Sequence, residues 1–497
     1  MKAYVILDPH PTPFWMTAAP FALTSHFQRL SDTQGSAMPH PLLSTSADNS
    51  LPIWLVTEST WNSVSSQLPK MAQGFAKAQG FEGKAGSHCL LPDADGNLAG
   101  VAFGLANDDA RYRDPFAVGK LPTILPEGVY HFETEAPDAA LATLAWLLGS
   151  YSFTRYRKRS ERSVRLVVPQ GVDADEVTRI ANAVFRGRDL VNTPTSDLGP
   201  DGIEAAARQI AEAHGAQFTS IVGDDLLRQN FPMIHAVGRA SETAPRLIDF
   251  TWGDESAPRI TLVGKGVAFD TGGLDIKPAS SMLLMRKDMG GAAATLALAD
   301  MIMGAKLPVR LRVLIPAVEN AISSNAFRPG DILNSRKGIT IEIGNTDAEG
   351  RLILADALAL ADEEKPDLIV DFATLTGAAR VALGPELPPF YTDDEELAAE
   401  IARTGMEVND PVWRLPLWAP YQSQLDSKYA DMNNTGGPMA GSITAALFLR
   451  RFVSDAKSHV HFDIFAWNNA TRPARPEGGE VQAARLIYAL LKKRYAS

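Results

Sequence analysis

The sequence predicts an α/β protein of two domains: a smaller N-terminal α/β domain and a larger C-terminal α/β/α domain with a mostly parallel central sheet. The chain has 497 residues, and a single hydrophobic core usually stops growing at about 250–300 residues. Short apolar runs alternate with helical patterns in the second half, which is typical of a parallel sheet covered by helices. We expect a first domain at 1–170, a linking helix at 171–189 and the larger domain at 190–497.

The first domain carries few polar signals and is predicted from its apolar patterning. Residues 53–56 and 101–104 are short apolar runs of strand length, and residues 139–151 have a helical pattern. Residues 173–188 repeat apolar side chains every 3.6 residues and predict the linking helix. The segment 189–194 ends it, because the residue before Pro194 disfavours helical backbone.

The second region alternates strands and helices at the spacing of a parallel sheet. We predict strands at 260–263, 309–315, 339–343 and 368–372, and helices at 289–303 and 350–361. In such folds the chemistry collects where strands end and helices begin. The unusual polar residues of this sequence lie at these junctions.

Composition excludes several classes of protein. A formal net charge of -11 argues against a general binder of polyanions such as nucleic acid. The single cysteine, Cys89, excludes an intrachain disulfide and a cysteine-rich zinc site, and we predict that it is a small buried residue. Asp8, His10 and two prolines interrupt the N-terminus, which therefore lacks the apolar stretch of a secretory signal. No uncharged apolar run reaches about 18 residues, so we expect a cytoplasmic protein without a membrane span.

A glycine-rich segment, residues 264–277, directly follows a predicted strand. Glycines allow a tight backbone, and we expect Lys265, Asp270 and Lys277 to share one loop. A phosphate-binding loop is the first alternative. It fails because Gly266, rather than serine or threonine, follows Lys265.

Two further junctions carry acids. Asp288 begins one predicted helix, and Asp347 and Glu349 begin another. Each acid alone suits a helix cap. Four carboxylates at three junctions of one sheet would repel one another unless cations neutralised them. No histidine lies between His235 and His459, so a metal site here would use oxygen ligands and, unusually, a lysine amine, with bridging carboxylates holding two ions about 3.5–4 Å apart.

These motifs resemble those of the cytosol (leucyl) aminopeptidase family. The most specific is the run Asn-Thr-Asp-Ala-Glu-Gly-Arg-Leu at 345–352. The other matching segments follow in the family's order and spacing between about 190 and 465; they are 189–194, 263–266, 269–273, 287–289, 328–332, 371–378, 436–438 and 441–442.

The resemblance implies a dinuclear metal site. Asp270 and Glu349 would bridge both ions, Asp347 would complete one site, and Lys265 with Asp288 would complete the other. The expected cofactors are two divalent ions, Zn and/or Mn, with bicarbonate as an additional candidate. All positions carry the family's residue types, so we expect an intact site.

The resemblance also implies a mechanism. Lys277 would polarise the scissile carbonyl and stabilise the oxyanion, and Arg351 would hold a bicarbonate ion that is proposed to act as general base. The free α-amine of a peptide would bind the metals, so the enzyme would hydrolyse only the N-terminal peptide bond. The expected assembly is a homohexamer.

The pocket for the first side chain is implied at Met285, Thr374, Gly377 and Phe465. Many relatives have small residues where Phe465 stands, and Trp467 follows closely. These aromatic residues would shrink or reshape the pocket, or they would serve ordinary core packing. Thr271 replaces the serine of many members, which is a mild change.

Three other functions remain as alternatives. A DNA-binding regulator is disfavoured by the acidic charge and the absence of a DNA-reading motif. A structural oligomer with a dead site is disfavoured by the complete set of site residues. A different two-metal hydrolase, such as a phosphatase, is disfavoured by the lysine in the metal cluster.

Overall fold

The computed structural model of the protein describes residues 40–107, 113–157 and 162–496. The prediction that the N-terminus lacks a secretory signal rests on residues outside these ranges. Two α/β domains with mostly parallel sheets make up the described part, which confirms the predicted fold class.

The first domain is built on a six-stranded sheet in the order β1-β6-β5-β2-β4-β3. Only the β3–β4 pair is antiparallel. Its strands are β1 (Leu43–Ser44), β2 (Leu51–Val56), β3 (His88–Pro92), β4 (Leu98–Gly104), β5 (Gly128–Phe132) and β6 (Val164–Val167). Its helices are Trp61–Gln67, Lys70–Ala78, Leu121–Ile124 and Ala139–Gly149, with a 3₁₀ helix at Ala117–Lys120. Cys89 is buried in β3, as predicted.

The linking helix runs over Ala174–Asn192, so it starts and ends three residues later than the predicted 171–189. Asp173 caps it, because its carboxylate accepts hydrogen bonds from the backbone N–H groups of Asp175 and Glu176 at 3.0 Å. The helix continues through residues 189–192 because only Thr193, the residue before the proline, has to leave the helical region.

The larger domain surrounds a second sheet in the order β16-β15-β18-β14-β9-β11-β8-β7, with β10 paired to the end of β11. Its middle strands β18, β14, β9 and β11 are parallel. The strands are β7 (Gln217–Val222), β8 (Arg246–Trp252), β9 (Arg259–Gly264), β10 (Gly266–Asp270), β11 (Arg310–Asn320), β14 (Leu368–Ala373), β15 (Pro389–Tyr391), β16 (Trp413–Arg414) and β18 (His459–Asp463).

Two small sheets and a set of helices complete this domain. The small sheets join β12 (Ile332–Asn334), β13 (Thr340–Glu342) and β17 (Met432–Asn433), and β19 (Trp467–Asn468) with β20 (Gly478–Gly479). The α-helices are Pro200–Ala213, Asp225–Arg228, Pro232–Gly238, Ala279–Met282, Gly290–Gly304, Glu349–Glu363, Gly377–Leu383, Glu395–Glu407, Gly441–Arg450 and Ala484–Tyr495, with 3₁₀ helices at Met285–Met289 and Ala419–Leu425. No helix among the described residues is long and apolar enough to cross a membrane.

Two expectations about the junctions are wrong. Residues 266–270 form β10 instead of a loop, because Gly266 to Asp270 pair with the end of the long strand β11. The strand before Asp347 belongs to the separate sheet of β12, β13 and β17 rather than to the central one. The acids therefore meet through two different sheets.

One hydrophobic core crosses the domain boundary. The same cluster contains Ile53 and Tyr130 from the first sheet and Leu262 and Val313 from the second. The helix Gly290–Gly304 lies within it, buried along almost its full length.

A buried ion pair reinforces this connection. Arg188 of the linking helix donates to the carbonyl of Leu148 at 3.0 Å and to that of Ala474 at 2.8 Å. It also forms an ion pair with Glu480 at 2.9 Å. The carbonyl of Leu148 belongs to the first domain, and Ala474 and Glu480 belong to the C-terminal part of the second. One guanidinium therefore joins both domains.

Candidate active site

Lys265 lies at the centre of the predicted site, directly after β9. Its Nζ is 2.8 Å from Asp288 Oδ2 and 3.0 Å from Glu349 Oε1, and it donates a hydrogen bond to the carbonyl of Thr374 at 3.0 Å. The side chain is only 3% exposed. This lysine therefore connects acids from two separate segments in a nearly dry environment.

Asp270, the last residue of β10, is held in a fixed orientation. Its Oδ1 accepts hydrogen bonds from Asn320 Nδ2 at 2.8 Å and from the Gly272 N–H at 2.9 Å. Its Oδ2 lies 2.7 Å from Lys277 Nζ, which also contacts Asp347. Lys277 lies in the loop that follows β10 and therefore contacts one acid from each of two separate segments.

Asp288 lies in the 3₁₀ helix that leads into Gly290–Gly304. Thr374 Oγ1 donates to Asp288 Oδ1 at 2.7 Å. Glycine is required at the helix start, because a Cβ on Gly291 would lie 2.1 Å from the carbonyl oxygen of Phe372. The close approach of helix and strand brings Asp288 to Lys265.

Asp347 and Glu349 lie at the start of the helix Glu349–Glu363. Gly350 provides the space that Lys265 needs, because a Cβ there would lie 2.5 Å from Lys265 Cε. One carboxylate oxygen each of Asp270, Asp347 and Glu349 lies within 4.8 Å of the others. The six predicted residues with charged groups at the site are therefore brought together, and Arg351 follows on the same helix.

The residues present fit divalent cations. Metal ligands have to be deprotonated, and with all four carboxylates ionised Lys265 and Lys277 would balance only two of them, which leaves an excess of negative charge. Asp288 Oδ2 and Asp347 Oδ1 are buried and accept no well-directed hydrogen bond, although each lies close to a lysine nitrogen. Buried carboxylate oxygens with spare lone pairs and a lysine amine form a set of hard ligands suited to ions such as Mn, Mg or Zn.

Burial and mutual repulsion perturb the acids of this cluster. Burial raises the pKa of Glu349 to about 8, with a further contribution from the charge of Asp270. Burial also raises the pKa of Asp347 to about 6, again assisted by Asp270. Burial alone would lower the pKa of Lys265, but the carboxylates of Asp288 and Glu349 outweigh burial and raise this pKa above its ordinary value. The cluster by itself therefore retains protons that metal ligands have to release.

Arg351 is buried beside the acids. Its Nη1 donates to the carbonyl of Asn434 at 2.7 Å, and its guanidinium carbon lies 5.9 Å from the centroid of the Phe448 ring. Its Nε has no hydrogen-bond partner among the described residues. Burial lowers the pKa of Arg351 to about 10, so it remains charged at neutral pH. A buried cation with a free donor is suited to bind a small anion.

The predicted pocket residues lie on three segments around Asp288. Met285 begins its 3₁₀ helix, Thr374 follows β14, and Gly377 begins the helix Gly377–Leu383. Phe465, 9% exposed, belongs to the hydrophobic core cluster, yet its ring also faces two cations, Lys287 and Arg380. Its side chain therefore combines core packing with a polar contact.

Several residues that support the site had no signal in the sequence. Gln482 Oε1 accepts hydrogen bonds from the N–H groups of Phe465 and Ala466 at 2.9 and 3.0 Å, and so fixes the pocket loop. Asn320, at the end of β11, orients Asp270. Asn434 Nδ2 donates to the carbonyl of Asn345 at 2.7 Å. In each case the two hydrogen-bonded residues are far apart in sequence, so no local sequence pattern predicts their contact.

A buried triad of one acid and two histidines lies in the central sheet, with Asp371 on β14 and His459 and His461 on β18. Asp371 is 2.7 Å from His459 Nε2 and 2.5 Å from His461 Nδ1. Burial raises the pKa of Asp371, but the imidazoles outweigh it and hold that pKa below its ordinary value. The pKa of His461 is lowered by burial but raised overall by Asp371. Asp371 and His461 therefore stabilise each other's charged form.

Replacing Asp371 with asparagine is expected to destabilise the fold by about 3–5 kcal/mol, because it leaves the buried His461 without its counter-charge. The stabilisation from Asp371 is present above its unfolded pKa of about 3.9 and is lost as the pH falls through its lower folded pKa. The stabilisation from His461 is present below its unfolded pKa of about 6.5 and is lost as the pH rises through its raised folded pKa. Urea unfolding between about pH 2 and pH 9 would measure both changes. If the free energy of unfolding depended on pH in the same way in Asp371→Asn and in the exposed control Asp48→Asn, this role would be contradicted.

Family models match most of the chain. The cytosol aminopeptidase family, catalytic domain, matches residues 186–488, and the M17 aminopeptidase, N-terminal domain, matches residues 49–169. "Probable cytosol aminopeptidase" of Roseiflexus castenholzii is 39% identical over 423 residues, which cover 81% of this chain and 84% of that protein. The protein of the same name from Syntrophotalea carbinolica is 40% identical over 364 residues, or 70% of this chain and 73% of the relative.

Solved structures agree in both fold and sequence. The crystal structure of cytosol aminopeptidase from Coxiella burnetii is 47% identical, with a TM-score of 0.87, and covers 91% of this chain and 99% of that one. The bottromycin maturation enzyme BotP in complex with Mn is 30% identical, with a TM-score of 0.81, and the match covers 90% of this chain and 100% of that one. Both likenesses extend over almost the whole described chain.

Proposed function

This chain belongs to the cytosol aminopeptidase family and is a metal-dependent aminopeptidase, and on that premise we propose which residues carry the reaction. Lys265, Asp270, Asp288, Asp347 and Glu349 would hold two divalent ions, with Asp270 and Glu349 shared between them. The observation that carries this proposal is the cluster of Asp270, Asp347 and Glu349 oxygens within 4.8 Å of one another, with Asp288 joined to it through Lys265.

The bound ions would polarise the scissile carbonyl and activate a water molecule as the nucleophile. The chain itself has to orient the ligands. Asn320 and the Gly272 N–H hold Asp270, and Thr374 holds Asp288, so neither carboxylate has to reorganise on binding a cation. Zn and Mn both suit this ligand set, and a relative, BotP, has been solved in complex with Mn.

Lys277 would donate a hydrogen bond to the carbonyl oxygen as it becomes an oxyanion. Burial opposes the charge of Lys277, but Asp270 and Asp347 raise its pKa above the ordinary value. The ammonium group is therefore fully protonated at neutral pH and is preorganised by its two acidic neighbours.

Arg351 would hold a bicarbonate ion, which would supply the general base for the reaction. The buried Nε of Arg351 has no hydrogen-bond partner among residues 40–107, 113–157 and 162–496, and this supports the role, since an anion would satisfy it. The residues Met285, Thr374, Gly377 and Phe465 would line the pocket for the first side chain.

The substrates in this proposal are peptides with a free N-terminus, in the cytoplasm. A homohexamer is the assembly that we propose from the family resemblance. We also infer domain boundaries at 1–170, 171–189 and 190–497. The first sheet ends at β6, the linking helix follows it, and the larger sheet comes after both.

Hydrolysis of a panel of aminoacyl p-nitroanilides would test the function, with added Mn or Zn and after chelation. We expect metal-dependent release from substrates with a free α-amine and none from their N-acetylated forms, because the amine is part of the recognition. Equal hydrolysis of acetylated substrates, or hydrolysis that survives complete chelation, would contradict the proposal.

A further inference from the structure

Three cationic side chains near the proposed pocket have no ion-pair partner among the described residues. Arg286 and Lys287 lie in the 3₁₀ helix Met285–Met289, and Arg380 lies in the helix Gly377–Leu383. Within the described part of the chain, none of these side chains donates a hydrogen bond or forms an ion pair. We call them the cationic wall.

The cationic wall surrounds residues of the proposed pocket. Lys287 Nζ lies 4.6 Å and the Arg380 guanidinium carbon 4.8 Å from the centroid of the Phe465 ring. A Cβ on Gly377 would lie 3.5 Å from Arg380 Nη2. Arg286 continues the wall, with its guanidinium carbon 5.2 Å from the Trp467 ring. The two aromatic rings thus support the cations by cation–π contacts.

Two buried cations elsewhere in the protein have acidic partners. Lys265 is paired with Asp288 and Glu349, and Arg188 with Glu480. Lys287 is only 2% exposed and remains unpaired. Burial disfavours the charged form of Lys287, so the guanidinium groups of Arg286 and Arg380, which stay charged, carry the positive charge of the wall.

The nearest acids are already engaged. Asp463 accepts hydrogen bonds from the N–H groups of Leu375 and Thr376 at 3.1 Å and from the hydroxyls of Thr376 and Ser442 at 2.6 and 3.1 Å. Asp288 is directed to Lys265. The positive charge of the wall is therefore available to a ligand, and the exposed Arg380 can be reached by it.

We propose that the cationic wall makes the enzyme selective for peptides whose first residue is aspartate or glutamate. The side-chain carboxylate would bind the forked guanidinium of Arg380, with Arg286 adding charge and Lys287 adding a hydrogen-bond donor. This inference rests on the proposed function, because it takes Gly377 and Phe465 as pocket residues. It also gives Phe465 a role, since its ring positions two of the cations.

The α-p-nitroanilides of glutamate and glutamine provide the test, because they match in shape and differ in charge. They also lack a C-terminal carboxylate, so an effect of Arg380 must come from the side chain of the substrate.

The wild-type enzyme is expected to show a kcat/KM for the glutamyl substrate about tenfold or more above that for the glutaminyl one. Arg380→Gln should lower this ratio by about tenfold, and Arg380→Lys should retain part of it, because it keeps the charge and loses the fork. The exposed Arg403, changed to glutamine, is the matched control and should keep the wild-type ratio.

Each contrary outcome is distinct. If the wild-type enzyme hydrolyses the leucyl substrate but favours glutamine over glutamate, the inference is overturned and the aminopeptidase function stands. An unchanged ratio in Arg380→Gln, with lower activity only toward dipeptides that carry a free C-terminal carboxylate, also overturns it. The wall would then bind the far end of a short peptide. If no p-nitroanilide is hydrolysed with either Mn or Zn, the inference falls together with the proposed function.

Discussion

Replacing Lys277 with alanine is expected to lower kcat by about 10²–10³-fold while the metal content stays close to that of the wild type. Loss of a single oxyanion donor has effects of this size. Lys277 is the donor in the proposed mechanism because its ammonium group is held 2.7 Å from Asp270 and in contact with Asp347, beside the expected position of the carbonyl. It is not among the proposed metal ligands, so activity and metal content should separate.

Two measurements on the same preparation check this prediction. Steady-state kinetics at saturating Mn give kcat, and elemental analysis after dialysis gives the metal content per chain. The exposed lysine Lys457, changed to alanine, is a control for the loss of a charge elsewhere on the surface. Hydrolysis by Lys277→Ala at the wild-type rate would refute the assigned role. A loss of metal equal to the loss of activity would instead make Lys277 a support of the metal site.

Replacing Asp270 or Glu349 with alanine is expected to remove activity and metal together. Both carboxylates are proposed to bridge the two ions, so each substitution would remove a ligand from both sites at once. Even changes to groups that only orient a ligand typically cost 10–100-fold in metal affinity, so we expect a loss of at least about 100-fold here. Glu349 is 1% exposed, and no neighbouring solvent can replace its oxygens easily.

Titration with Mn, followed by activity and by the thermal unfolding midpoint, would measure the affinity. Wild-type protein should become more stable as Mn is added, because a ligand that binds the folded state shifts the unfolding equilibrium. The Asp270→Ala and Glu349→Ala proteins should respond only at much higher Mn. The exposed acid Glu255, changed to glutamine, should behave as the wild type. A wild-type response in either alanine variant would exclude that residue as a shared ligand.

The central sheet and its helices could be predicted from the sequence because their signals are local. The apolar runs that became β9, β11 and β14 and the helix Gly290–Gly304 all lie within a few residues of their predicted bounds. The strand β10 was missed because its glycine-rich flanks suggested a loop. Its hydrogen bonds go to β11, more than forty residues away in sequence, and only that pairing makes it a strand.

The charged residues of the candidate site could be named from the motifs, but their supporting contacts could not. Asn320 is an ordinary strand residue by sequence, and its contact with Asp270 spans 50 positions. Gln482 lies in no motif, yet it fixes the backbone at Phe465. The cationic wall was also hidden, because the absence of an acidic partner for Arg380 becomes evident only when all neighbours are placed.

The contact of Arg188 with both domains limits how this protein can be divided. Burial raises the pKa of Glu480, but the charge of Arg188 outweighs it and brings that pKa down to about 2. A truncation that removed the first domain would take away the carbonyl of Leu148 together with Tyr130 and Trp146, and it would expose the part of the shared core that belongs to the larger domain. The segment that carries Glu480 and Gln482 also carries the pocket loop. The N-terminal domain therefore supports the segment that carries the proposed pocket loop. An engineered enzyme without this domain would need a new surface to cover the exposed core before it could retain its specificity.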